Sequence, residues 1–141
     1  MKMKPYSSTL LALCGLLLIG VGAYFIFLRP AILPEDARYI GASLSEIQEN
    51  LPGLLVWLQK VFRVMGGYIL TTGVLTVYVA RTSFRERLRG VLVLVAFAGI
   101  TSIGWMSVVN FIIQSDFKWL LLGLTILWGI SLILFWIEGE K

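Results

Sequence analysis

Arg81-Thr82-Ser83-Phe84-Arg85-Glu86-Arg87-Leu88-Arg89 carries four arginines against one glutamate, a net charge of +3 (4 − 1) in nine residues. The chain on either side is apolar. Residues 64–80 carry no charge, and neither do residues 91–115. So basic a cluster does not cross a hydrocarbon layer cheaply, and it stays on the cytoplasmic side. The nonapeptide therefore separates two hairpins of membrane-crossing helices and orients both. Arg81, Arg85, Arg87 and Arg89 are the topology determinants.

Composition agrees with this reading. The chain has 141 residues, 58% of them hydrophobic, with a mean hydropathy of +0.88. Soluble domains are about half apolar. Here the excess lies in long uncharged runs, which distinguishes a membrane protein from a soluble one with a large core. No stretch between the runs is long enough for a second, soluble domain. The net charge of +4 is concentrated in 81–89, where orientation and anionic lipid account for it. No nucleic-acid partner is expected. The single cysteine, Cys14, has no intramolecular disulfide partner, and there is no histidine. That removes histidine metal sites, haem-binding histidine pairs and histidine general bases. No cofactor and no metal are expected.

Four spans follow, at about 10–28, 56–80, 91–115 and 119–137, in an all-α four-helix bundle forming a single transmembrane domain over 1–141. The first run, with Lys2 and Lys4 ahead of it, has the shape of a signal peptide, and Val21-Gly22-Ala23 is an acceptable cleavage sequence. Its length, sufficient to span, favours a retained helix. Leu13 before Cys14 is too large for a lipoprotein processing site, so Cys14 reads as a buried thiol. The second span is short. Residues 64–80 are 17 in number, about 25 Å of helix against a hydrocarbon core of about 30 Å. Its missing turn must come from residues 54–63, so the helix runs from Pro52 to about Arg81 and brings Lys60 and Arg63 to the hydrocarbon edge.

Within the outer segment 29–53, residues 30–53 are acidic, with Glu35, Asp36, Glu46 and Glu49 against Arg38. Pro34-Glu35-Asp36 suits a first helical turn, and Ser43-Leu44-Ser45-Glu46 is a capping-box pattern. One or two short helices are expected here, on the outer surface, with Ile32, Leu33, Tyr39, Ile40, Leu44, Ile47 and Leu51 turned toward the bundle or lipid. Four spans put both termini in the cytoplasm. Seven Lys and Arg then lie inside (2, 4, 81, 85, 87, 89, 141) and five outside (29, 38, 60, 63, 118). Trp57 and Trp119 mark the outer interface, Tyr78 and Trp136 the inner one.

Two constellations are candidate sites. Lys60 and Arg63 present cations at the outer leaflet. They suit an anionic lipid head group, or ion pairs with Glu35, Asp36, Glu49 or Asp116 that would pin the outer segment. Ser107, Asn110 and Gln114 fall at i, i+3 and i+7 on one helix face, either lining a polar pocket or bonding between helices. Small-residue pairs allow close helix approach: Gly15 with Gly22, Gly67 with Thr71, Ala98 with Ser102, Thr125 with Gly129. Trp105 and Trp128 read as core filler whose indole N–H groups need acceptors.

The chain lacks the cysteine pairs of quinone-linked thiol oxidoreductases. It also lacks the first-helix glutamate on which small multidrug exporters rely, and any carboxylate within a span. No catalytic dyad is available, so no enzyme is expected. Leu33-Pro-Glu-Asp-Ala-Arg-Tyr-Ile-Gly41, followed by Val64-Met-Gly-Gly-Tyr68, resembles small bacterial four-span proteins of unknown function. The resemblance implies a bacterial inner-membrane location and no particular activity. The functional expectation is a small non-enzymatic multi-pass protein that assembles with itself or with a membrane-protein partner. The alternative is a protein that binds or transports lipid or a small ligand through an outer-leaflet pocket near Arg63 and Asn110.

Overall fold

A computed structural model of the chain describes residues 6–139. Lys2, Lys4 and Lys141, counted above toward the cytoplasmic side, lie outside the described residues. The described chain is helical and without strands: α1 (Tyr6–Phe27), α2 (Pro34–Ile40), α3 (Leu44–Asn50), α4 (Pro52–Arg81), α5 (Val91–Gly99), a π-helical segment (Ile100–Gly104), α6 (Trp105–Ile112) and α7 (Lys118–Gly139). α5, the π segment and α6 form one continuous third span, Val91–Ile112. This span, α1, α4 and α7 are each long and apolar enough to cross a membrane.

Helix ends follow local chemistry. Pro34 opens α2 at its first turn, where the Leu33 N–H donates to Asp36 Oδ2 at 2.9 Å. Gly41 closes it with φ +77, a left-handed position suited to glycine. Ser43 and Glu46 make the capping box at the start of α3: the Glu46 N–H reaches Ser43 Oγ at 3.2 Å, and the Ser43 N–H reaches Glu46 Oε2 at 2.7 Å. The Ser43 hydroxyl also donates to Glu46 and holds its carboxyl below the usual range. α4 is unbroken over 30 residues, about 45 Å and longer than a bilayer core.

Packing departs from a closed bundle. α1 is the centre: it lies along α4 on one side and against α7 on the other, and α7 in turn packs on the third span. α4 and the third span have at most marginal contact, so the spans follow one another as α4, α1, α7, third span. The buried core runs along α1 and α7, with Leu11, Cys14 and Leu18 from the first and Leu121, Leu124 and Trp128 from the second.

The α1–α4 contact is built on four glycines seven residues apart on each helix. Gly15 faces Gly73, and Gly22 faces Gly66. A Cβ at Gly73 would stand 2.7 Å from the Gly15 carbonyl oxygen, and one at Gly22 would stand 2.5 Å from the Leu70 nitrogen. Backbones this close exclude any side chain. The small-residue reading of α4 was one residue out of register: Gly67 has open space around its Cβ direction, and Gly66 makes the contact.

The π segment has a local cause. The Trp128 indole N–H, buried, donates to the Val95 carbonyl at 3.1 Å. The Thr125 hydroxyl, which donates to the Leu121 carbonyl of its own helix at 2.9 Å, also lies 3.3 Å from the Ile103 carbonyl. α7 thus brings polar groups to a carbonyl ahead of the widened turn and to one within it, and in that turn the Trp105 N–H reaches back five residues to Ile100. Gly99 makes room for the indole, since a Cβ there would lie 2.7 Å from Trp128 Cδ1. Trp128 is core, as expected, while Trp105 is 64% exposed and faces outward.

At the other end, the basic loop is docked onto α7. Phe84 is buried, its ring 4.4 Å from that of Phe135. Arg87 adopts a left-handed φ of 57 and turns back. Its guanidinium lies over the Phe135 ring, and it donates to the Phe135 carbonyl at 2.6 Å and to Glu138 at 3.3 Å. Glu138 also accepts the Ser7 N–H and hydroxyl, the latter at 2.6 Å. Arg87 is therefore a structural tie between the loop, the start of α1 and the end of α7. Arg81, Arg85 and Arg89 are left exposed.

Candidate functional site

The polar chemistry of the molecule concentrates at the end bearing α2, α3 and the turn between the third span and α7. Arg29, one residue past the α1 C-terminal turn, organises it. Its guanidinium lies over the Phe62 ring at 3.4 Å and within 5.3 Å of the Phe25 centroid. It also pairs with Asp36 Oδ2 at 2.9 Å, and its side chain is only 7% exposed. The arginine thus sits between α1 and α4 and holds the first turn of α2 down on both. Such a stacked, desolvated and paired guanidinium is worth more than a surface ion pair.

Glu35 is buried, 2% exposed, and accepts a hydrogen bond from Ser115 Oγ at 3.2 Å. Ser115 is itself buried, and its oxygen accepts the Phe117 N–H. Arg38 pairs with Asp116 at 3.0 Å, an exposed contact of small energetic weight. α2 is thereby fastened at both ends of its sequence: to the first hairpin through Asp36 and to the second through Glu35 and Arg38. Gln114 has a left-handed φ of 54 in this turn, accepts from Lys118 Nζ at 2.6 Å and donates to the Phe111 carbonyl.

The expected pairing of Lys60 and Arg63 with the acidic segment is not what the structure forms. Both cations are exposed, and neither takes part in an ion pair among the described residues. Asp36 serves Arg29, Asp116 serves Arg38, Glu35 is spent on Ser115, and Glu49 is exposed on α3. The physical reason is reach. Asp36 lies only seven residues after Arg29 and pairs with it, while Glu35 is taken up by Ser115.

The polar face of the third span also resolves differently from either expected reading. Ser107 is buried, and Asn110 donates to the Met106 carbonyl one turn back in its own helix at 2.9 Å. Gln114 lies beyond the helix end, in the turn. The i, i+3, i+7 spacing describes a single face only while the helix continues, and α6 stops at Ile112. The three side chains are not brought to Arg63 as one pocket: neither the cleft beside the π segment nor the one under α2 is lined by Lys60, Arg63, Ser107, Asn110 or Gln114.

Those clefts are apolar. One, of about 380 Å³, opens between the π segment and α7, where Gly99, Gly104 and Gly129 leave space beside Trp105 and Trp128. The other, of about 190 Å³, lies under α2, between Ile32, Tyr39, Leu58 and Phe62. Neither brings together a nucleophile with a base, or a set of ligands for a metal.

Sequence reasoning missed Arg29, Phe25 and Phe62 as a unit, and Ser115 as the partner of Glu35. An arginine closing an apolar run, followed by Pro-x₃-Pro-Glu-Asp, is the available signal for the first. The second has none, because Ser115 lies 80 residues away from Glu35. No family model matches the chain, and neither a curated protein nor a solved structure does so.

Proposed function

We propose that this chain is a small non-enzymatic multi-pass protein of a bacterial inner membrane, with both termini in the cytoplasm and α2 and α3 on the outer face. In the bilayer it assembles with another copy of itself or with a partner membrane protein. The observation that carries this reading is the open order of the spans. Among the spans, α4 packs chiefly on α1 and the third span chiefly on α7, and they leave large side chains outward, Tyr68 and Leu75 on one and Phe97 and Trp105 on the other. Close association in lipid depends on fitted helix surfaces rather than on burial from water, and two unclosed edges supply them. The basic loop supports the orientation, since Arg81, Arg85 and Arg89 remain exposed and free to obey the positive-inside rule.

The test is native mass spectrometry from a mild detergent, paired with cross-linking in native membranes. In a Cys14→Ser background, Leu75→Cys and Phe97→Cys would each carry a probe on an open edge. Specific cross-linked species, matched by an oligomer or a stoichiometric complex in the spectrum, are the expected result. A bare monomer in both experiments would refute the assembly reading.

A further inference from the structure

We propose that Lys60 and Arg63 form a binding site for the phosphate of an anionic phospholipid, in the leaflet nearest α2 and α3. This goes beyond the assembly reading and does not depend on it.

Depth is the first argument. α4 carries no charge from 64 to 80, 17 residues, about 25 Å against a hydrocarbon core of about 30 Å. With Arg81 at the opposite surface, Arg63 stands at the hydrocarbon boundary and Lys60 one turn further out. A cation at that depth either snorkels to the head-group region or takes an anion beside it, and in both cases it lies level with lipid phosphate.

The protein does not supply the anion, which is the second argument. Of the carboxylates at this end, Asp36 is held by Arg29, Asp116 by Arg38, Glu35 is buried against Ser115, Glu46 is occupied by its own helix cap, and Glu49, exposed on α3, pairs with neither Lys60 nor Arg63. Arg29 and Arg38 are paired, and Lys118 reaches Gln114. Lys60 and Arg63 are therefore the uncommitted cations of the rim among the described residues.

Geometry is the third. Positions three apart on a helix are neighbours, about 5–6 Å between Cβ atoms, so the two long side chains are within reach of one oxygen-rich group. Trp57, three residues before Lys60 and 58% exposed, places an indole on the same side of α4. Tryptophan at head-group depth beside paired cations is a combination suited to a lipid head. The phosphate of an anionic lipid meets both requirements, since it brings net negative charge and lies at that depth. Two juxtaposed cations favour such a lipid over a zwitterionic one by about fivefold each, about 25-fold together.

The full chain in vesicles is the material for the test. Phosphatidylglycerol bearing a photoactivatable head group would be irradiated, and the labelled peptides mapped by mass. Mapping is needed because Arg81, Arg85 and Arg89 also attract anionic lipid. The expected result is strong labelling within residues 54–64, falling about 25-fold in Lys60→Ala/Arg63→Ala and restored in the charge-preserving Lys60→Arg/Arg63→Lys pair. Arg85→Gln should leave that peptide's labelling unchanged. Equal labelling by the phosphatidylcholine analogue would overturn the proposal, as would no loss in the double alanine variant. Abolition of labelling by inorganic phosphate at physiological ionic strength would mark a free-anion site and overturn the lipid assignment. Failure of the alanine variant to fold would appear as lost labelling throughout the chain. In that event the charge-preserving pair decides: it must label residues 54–64 as the parent does.

Discussion

Gly66 and Gly67 are adjacent in sequence and opposite in consequence. A Cβ at Gly66 would lie 2.8 Å from Phe25 Cβ and 2.9 Å from the Gly22 carbonyl oxygen, while one at Gly67 would meet nothing within 4 Å. Ordinary contact begins near 3.4 Å. Gly66→Ala must therefore push α4 off α1 by about half an ångström or more. A gap of about 0.5–1 Å forfeits a quarter to a half of each dispersion contact. The opening is shared along the helix by Gly15 and Gly73, which face each other one heptad away. Overpacking of this kind costs about 1–3 kcal/mol. Replacing glycine by alanine in a helix returns up to about 1 kcal/mol. The net expectation is a loss of up to about 2 kcal/mol for Gly66→Ala and a gain of up to about 1 kcal/mol for Gly67→Ala. Reversible unfolding in mixed micelles titrated with dodecyl sulfate measures both. Two variants equal within about 0.5 kcal/mol would show that the helices are not in backbone contact at Gly22 and Gly66, and the reasoning would fail.

Arg29→Ala should detach α2 and make residues 30–50 sensitive to limited proteolysis, whereas Arg63→Ala should leave the cleavage rate at the parent's level; the reverse ranking would return the pinning role to Arg63. Trp128→Phe removes the donor to Val95 and should cost about 0.5–2 kcal/mol in the same micelle titration, while an unchanged midpoint would mean that the π turn does not need that donor. Gln114→Gly relieves the left-handed backbone at φ 54 and should be neutral or stabilising by up to about 1 kcal/mol, and a large loss would show that the side-chain bonds to Lys118 and Phe111 dominate. Reporter fusions at residue 45 and at the C-terminus should read opposite sides of the membrane, and the same side for both would refute the proposed topology.

Legibility in the sequence followed the range of the interaction. The number of long apolar helices, the continuity of α4 from Pro52 to Arg81 and the two short helices between α1 and α4 were all readable. Each depends on local terms: uncharged run length, proline at a first turn, a Ser–Glu capping box. Which glycine of a Gly-Gly pair faces its neighbour was not readable, because one residue of rotation, about 100°, separates them. The site failed for a related reason. Counting charges placed enough acid near Arg63, but pairing is decided by which cation the folded segment passes first, and that is Arg29. The polar face of the third span was read as though the helix ran to Ser115. It ends at Ile112, and the remaining register is lost with it.

What the sequence leaves least determined is the exterior, and the membrane explains why. In water, an apolar surface as large as the one on α4 and the third span would mark an interface, because exposure is costly. In hydrocarbon that cost vanishes, so outward Tyr68, Leu75 or Phe97 satisfies lipid and protein alike. Discrimination then rests on features that lipid does not satisfy. Backbone contact through glycine is one, and this chain uses it between α1 and α4. Bonding of a carbonyl by Trp128, with the Thr125 hydroxyl beside a second, is another, used at the π turn. An unpaired cation at the hydrocarbon edge is the third, and the described chain leaves Lys60 and Arg63 without a carboxylate. The first two are satisfied within the fold. The third is not satisfied within the fold, and the lipid-phosphate site proposed at the start of α4 rests on that difference.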